Sequence, residues 1–314
     1  MHGFRRLAAL TAASLALIAG GSACSTRAPE PRDTSTAAVD DPASGFPAKV
    51  EVAGQPPVTI TQQPKHILSL SPSATETLYA IGAGREVAAV GRDSTAPPQA
   101  PRTDLTADSD AAAVTAHRPD LVIAPDSAGP LAEALRAQGV PVLLTPVPPD
   151  LDAAYGQVET LGHATGHSNQ AHALADRMRS EITRIAASTP KPERPTSYYH
   201  EADPNGATTT SQSYLGGLYG MFGLTNIADR AGSPELSAQQ ITRDDPDLVF
   251  LADGACCQVT PNSAAARPGW NNIAAVRHHH VYPVNGEQSA RWGPGLVDLT
   301  RSISDAVKNS QAVP

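Results

Sequence analysis

Arg118-Pro119-Asp120-Leu121-Val122-Ile123-Ala124 and Asp245-Pro246-Asp247-Leu248-Val249-Phe250-Leu251-Ala252 say nearly the same thing twice. In each, a Pro-Asp pair punctuates the chain and a continuous apolar run follows. Such a run reads as a strand covered on both faces, as in a parallel sheet packed between helices. A short helical segment precedes each (residues 111–116 and 237–242). A helical stretch and a second apolar strand follow each, at 140–144 in the first half and 281–284 in the second. The chain therefore divides into two α/β lobes of similar build. Such sheets take ligands outside the carboxyl ends of their strands, so two facing lobes predict a cleft.

Working outward, residues 66–70 form a strand that Ser71-Pro72-Ser73 turns into a helix. Ser73-Ala74-Thr75-Glu76 has capping-box spacing, which predicts Ser73 as the cap and Glu76 as its reciprocal partner. Gly82 and Gly84 end that helix, and residues 87–90 are the next strand. Residues 132–138 read as a helix stopped by Gly139. The longest helical pattern covers 168–188, where Leu174, Met178, Ile182 and Ile185 fall at helical spacing and Pro190 and Pro192 stop it. It joins the two halves, and a single helix there limits how far they can swing. In the second half, 196–200 is a strand, 213–222 a helix and 293–309 a final amphipathic helix.

The N-terminus carries Arg5 and Arg6, an apolar stretch over 7–18 and small residues up to Cys24. Residues 1–23 form an export signal, too short to span a bilayer. Gly21-Ser22-Ala23-Cys24 resembles a bacterial lipoprotein site, which implies lipidation of Cys24 and anchoring on the outer face of the cytoplasmic membrane. The next stretch, rich in Thr, Pro, Ala and Asp, has no apolar periodicity and reads as a tether. The expected division is 24–62 linker, 63–167 N-terminal lobe, 168–189 connecting helix and 190–314 C-terminal lobe. With 23 Lys and Arg against 31 Asp and Glu, and no basic run, the chain is a poor nucleic-acid binder. No nucleophile-elbow pattern surrounds Ser69 or Ser71, and neither a phosphate-binding Gly-rich loop nor zinc-ligand spacing occurs, so an enzyme is the weaker reading.

Seven segments in order carry a resemblance. They are Ile67-Leu68-Ser69-Leu70-Ser71-Pro72-Ser73-Ala74-Thr75-Glu76, Gly82-Ala83-Gly84, Pro119-Asp120-Leu121-Val122-Ile123, Asn226-Ile227-Ala228-Asp229, Pro246-Asp247-Leu248-Val249-Phe250-Leu251-Ala252-Asp253, Ala266-Arg267-Pro268-Gly269-Trp270 and Arg291-Trp292-Gly293-Pro294. Spread over residues 65–305, they resemble the solute-binding proteins of ABC importers for metal chelates, which bind ferric siderophores and cobalamin-like corrinoids. The resemblance implies the class III periplasmic-binding-protein fold: two Rossmann-like lobes bridged by one long helix, with slight closure, no catalysis and delivery of ligand to a permease. It implies no intrinsic cofactor, since the metal arrives within the guest, and a monomer. Members carry a Glu on each lobe that docks onto permease arginines. The matching positions here are Ala112 and Gln239, so both charges are missing and docking is expected to be weakened or altered. The alternative is a membrane-anchored ligand-binding scaffold or sensor without a transporter.

Arg291 stands where the family has a cleft arginine, and a guanidinium suits carboxylate or phosphate on a ligand. Arg92 and Asp93 lie in a comparable loop after a strand, and Tyr198, Tyr214 and Trp292 are candidate flat walls for a ring system. Glu76 is expected to cap its helix. The run His278-His279-His280 reads as a solvated turn, and His163, His167 and His172 are separated by the helix-breaking Gly166, so no metal site is assigned. Cys256-Cys257 in an oxidising compartment is either a bridged turn near the cleft or a pair of free thiols.

Overall fold

The computed structural model describes residues 45–312. The signal 1–23, Cys24 and the first part of the linker lie outside the described residues. Two four-stranded parallel sheets organise the rest. The first has the order β4-β3-β5-β6, from Ile67–Ser69 (β3), Val87–Val90 (β4), Leu121–Pro125 (β5) and Val142–Thr145 (β6). The second contains Thr196–Glu201 (β7), Leu224–Asn226 (β8), Leu248–Leu251 (β9) and Val281–Pro283 (β10), in the order β10-β9-β7-β8. Read from the opposite end, the second order repeats the first strand for strand.

The duplicated sequence phrase supplies β5 and β9, each beside the first strand of its own sheet. Its aspartates fix that pairing. Asp120 accepts from the Lys65 and His66 amides at 2.6 and 2.9 Å, just before β3. Asp247 accepts from the Ser197 amide at 2.8 Å and its hydroxyl at 2.9 Å, in β7. The residue before each proline, Arg118 or Asp245, takes a left-handed φ of 51° or 44° to turn helix into strand. Paired carboxylates thus satisfy amides at the start of a neighbouring strand that would otherwise lack partners.

The helices of the first half are Pro72–Ala80 (α1), Ala111–Thr115 (α2), Gly129–Ala137 (α3) and Leu151–Thr165 (α4). Ser168–Ser188 (α5) runs from the first lobe to the second. Tyr214–Gly220 (α6), Ala228–Ala231 (α7), Ala238–Asp244 (α8), Gly254–Cys257 (α9), Pro261–Ala265 (α10), Ala274–Arg277 (α11), Gly286–Ser289 (α12) and Leu296–Ala312 (α13) complete the chain. Alternate residues of each strand enter different cores. Ile67, Ile123, Leu143, Tyr198, Leu248 and Phe250 share one core that runs through both lobes and includes the buried faces of α4, α5, α6 and α13. Leu68, Val122 and Val142 face a separate outer cluster, as do Tyr199, Val249 and Val281 in the second lobe. A core continuous across both lobes resists large hinge opening, because opening would expose packed apolar surface.

Three expectations change. Ala48–Val50 (β1) and Val58–Ile60 (β2) form an antiparallel hairpin within the segment read as linker 24–62. Ala48, Val50, Val58 and Ile60 are buried against the first lobe, so alternating apolar residues in a Pro-rich stretch were enough to build strands. The capping box at Ser73 is not formed. Ser71 caps α1 by accepting from the Ala74 amide at 3.4 Å, and Pro72 occupies the first helical turn. Third, α4 has no counterpart in the expected elements. Its end is set by Gly166 at a φ of 78°, and Gly162 lets α5 approach closely, since a side chain there would strike Ala171 and the His167 backbone. The turn also separates His163, His167 and His172; the last pairs with Glu159 and Asp176.

Candidate functional site between the carboxyl edges

The loops beyond the carboxyl ends of the two sheets meet. Arg291, after β10, reaches across to Glu76 of α1 and donates to Thr95 Oγ1 at 2.7 Å and the Asp93 carbonyl at 3.4 Å. Thr95 in turn donates to Glu287 of α12 at 2.7 Å, and Glu287 lies 3.3 Å from Arg291. Burial raises the Glu76 carboxyl above its usual range although Arg291 pulls it down, so desolvation wins at this contact. Arg291 is 7% exposed and therefore clasps the two lobes together. Sequence reasoning placed Arg291 at the right edge but gave Glu76 the wrong partner, because a helix cap and an interlobe ion pair ask for the same residue type.

Behind this clasp the two edges differ. On the first sheet, hydroxyls bond to one another: Thr75 to Ser69 at 2.9 Å and to Ser94 at 3.0 Å, and Thr145 to Ser71 at 3.0 Å. On the second, Glu201 ends β7 and receives both nitrogens of the Arg267 fork at 2.6 and 2.7 Å. Asp253, just past the adjacent β9, is 0% exposed, and both of its carboxylate oxygens lack a hydrogen-bond donor among the described residues. Glu201 is pushed up to about 7, first by burial and then by Asp253, against the pull of Arg267. Arg267 also lies over the Trp270 ring at 4.6 Å. Glu201, Asp253 and Arg267 were not singled out from sequence as a site. The available signal was a carboxylate at the carboxyl end of both β7 and β9, Glu201 as the last residue of one and Asp253 just past the apolar run of the other.

The remaining predicted residues are placed as follows. Arg92 and Asp93 are exposed at the rim, 3.8 Å apart, and a groove of about 330 Å³ lined by Arg92, Arg102, Thr103 and Asp104 opens beside them. Tyr198 is a core residue: its ring stacks on Tyr219 at 4.2 Å, and its hydroxyl accepts from the Asn226 amide at 3.0 Å. Tyr214 is buried and donates to the Ser289 carbonyl at 2.8 Å, while Trp292 packs into the shared core. These three are corrected from walls of an open pocket to interior residues, since aromatics beside apolar strands gain more from full burial than from a half-wet surface. Cys256 and Cys257 are disulfide-bonded in α9. His278 and His280 stack at 5.9 Å at the opposite, amino edge of the second sheet, and no cluster of metal-ligating side chains occurs among the described residues.

Comparison with known proteins places this arrangement. A family model described as periplasmic binding protein matches residues 67–286. YvrC, an uncharacterized ABC transporter substrate-binding lipoprotein of Bacillus subtilis, is 29% identical over 273 residues, covering 83% of this chain and 86% of that protein. A cobalamin-binding protein of Halobacterium salinarum is 27% identical over 284 residues, covering 86% of this chain and 76% of its own. Among solved structures, the periplasmic heme-binding protein RhuT of Roseiflexus sp. RS-1 superposes with a TM-score of 0.66 at 24% identity, covering 78% of this chain and 99% of that one. The vitamin B12 binding protein BtuF of Vibrio cholerae gives 0.63 at 22% identity, covering 79% and 98%. The chain belongs to the periplasmic binding protein family.

Proposed function

We propose that this protein captures a metal chelate of the corrinoid, heme or ferric siderophore class outside the cytoplasmic membrane and hands it unchanged to an ABC importer. The observation that carries the reading is the meeting of two like sheets at their carboxyl edges, with exposed Arg92 and Arg102 at the rim. Relatives that bind cobalamin and heme by name support the guest class. Exposed guanidinium groups suit carboxylates or phosphates carried by such guests. The clasp at Arg291 and the continuous core keep the site largely preformed, which lowers the ordering cost of capture. Cys24, lipidated, would hold the lobes at the membrane through the linker that precedes β1.

Native mass spectrometry of the protein with cyanocobalamin, hemin and ferric siderophores tests the reading. One guest binds at one-to-one stoichiometry with a dissociation constant below about 1 μM. Arg92→Ala weakens it by about tenfold, the loss of one charge-assisted contact. Absence of binding to every guest overturns the proposal. A second reading, a membrane-anchored binding scaffold or sensor without a transporter, is favoured by exposed Ala112 and Gln239 at the matching helices of the two lobes. Guest binding with no association with any permease supports it.

A further inference from the structure

A disulfide between adjacent residues cannot be there to hold the fold together. Cys256 and Cys257 are one position apart, so their bridge closes the smallest loop a chain can make and removes almost no freedom from the unfolded state. The peptide bond already sets its Cα atoms 3.8 Å apart, closer than disulfides usually span. Both residues are exposed. What the bridge does control is local. It lies in α9, the one-turn helix directly beyond β9, at the edge where the lobes meet. The turn is tied at its start to the buried Asp253, whose carbonyl receives the Cys257 amide at 3.0 Å and lies 3.3 Å from Cys256 Sγ. It ends on Gln258, a non-glycine residue at a φ of 57°. Side chains rarely adopt that left-handed conformation, and the ring formed by the bridge sits immediately before it.

We infer that Cys256–Cys257 is a thiol–disulfide exchange site for a dithiol reductant, and that its redox state sets the shape of the 253–259 lip. A thiolate of the dithiol attacks one sulfur, forming a mixed disulfide and releasing the other cysteine as a thiolate, which takes up a proton. The second thiol of the reductant then displaces the remaining cysteine and closes the reductant's own disulfide. Two electrons and two protons pass from the dithiol to the protein. With the ring open, the one-turn helix that the bridge spans loosens. An accessible bridge outside the core fits the labile class of disulfides rather than the structural one. The consequence for guest capture rests on the function proposed above; the exchange itself does not.

The test therefore uses no guest, which keeps its failure distinct from a failure to bind chelates. The folded protein, purified without reductant, is equilibrated with dithiothreitol, quenched, alkylated with N-ethylmaleimide, and the peptide holding 256–257 is weighed. Without denaturant, the bridge opens in one step and the peptide gains two adducts. Amide hydrogen exchange over 254–259 accelerates by about tenfold or more on opening. The melting midpoint moves by less than about 2 °C. The protein carrying Cys256→Ser with Cys257→Ser shows the fast exchange with or without dithiothreitol. A bridge that opens only in denaturant overturns the inference, and so does an exchange pattern that opening leaves unchanged.

Discussion

The two lobes share a strand order and differ at their carboxyl edges. In the N-terminal lobe that edge is floored by Ser69, Ser71, Thr75, Ser94 and Thr145, neutral groups that satisfy each other. In the C-terminal lobe it is floored by Glu201 and Asp253, two buried carboxyls, and by the partly exposed guanidinium of Arg267. A neutral hydroxyl network can lose a member at modest cost, whereas a buried charge left alone carries its whole desolvation penalty. The architecture was duplicated while the two floors took on different electrostatics. Burial pushes the Glu201 carboxyl up to about 7, so the C-terminal floor carries a group that gains or loses a proton near neutral pH.

The largest effect tests that asymmetry directly. Arg267→Met removes the fork from Glu201 and is expected to cost about 3–5 kcal/mol in urea unfolding. Thr145→Val, in the neutral floor, costs about 1 kcal/mol. Equal costs would remove the distinction between the floors. The pH response comes next. Glu201 titrates near 7 in the folded protein against 4.5 for an ordinary glutamate, so the folded state binds the extra proton between those values. Its contribution is complete below about pH 4.5 and is lost as pH rises through about 7, a fall of about 1–3 kcal/mol for this group. Glu201→Gln flattens the unfolding free energy over that window. A slope unchanged by the substitution would place the titration elsewhere.

What the sequence disclosed follows the range of the forces involved. The Pro-Asp phrase announced β5 and β9 because its determinants are local: a left-handed turn before the proline and a run of apolar residues after it. The boundaries of α5 were equally legible, with helical spacing ended by prolines. Beyond the strand ends the determinants become nonlocal. Glu76 sits 215 residues from Arg291, and Glu201 sits 66 from Arg267, so no local pattern couples them. The aromatics Tyr198, Tyr214 and Trp292 carry no sequence mark that separates a wet wall from a core. Helix α4 escaped notice because its apolar face includes Ala154, Gly162 and Thr165, residues small enough to pack closely yet weakly apolar.

The shared part of the two lobes can be broken too. Asp120→Ala and Asp247→Ala each strip the acceptor from amides at the start of an adjacent strand, and each is expected to cost about 1–3 kcal/mol. The costs should be similar, since each aspartate accepts two hydrogen bonds at the start of the first strand of its own sheet, Asp120 from two amides and Asp247 from one amide and one hydroxyl. A much smaller loss at Asp247 would mean that Arg194, 3.3 Å away, and the Ser197 hydroxyl change the balance in the second lobe.

The smallest effect on stability bears most on partnership. Ala112 and Gln239 are the second residues of α2 and α8, exposed in equivalent first turns that contain no acidic residue. A glutamate in that position faces the positive end of the helix, so Ala112→Glu and Gln239→Glu should each stabilise by about 0.3–1 kcal/mol, read as a small rise in melting midpoint. The two gains should differ because the caps differ: Ser237 and Gln240 already form a capping box at α8, whereas Asp110 makes no side-chain cap bond at α2. The larger gain is therefore predicted at Ala112. Against a permease that presents arginines, the double substitution should also tighten association. Association that is already tight and indifferent to both glutamates would show that this protein docks through other surface groups.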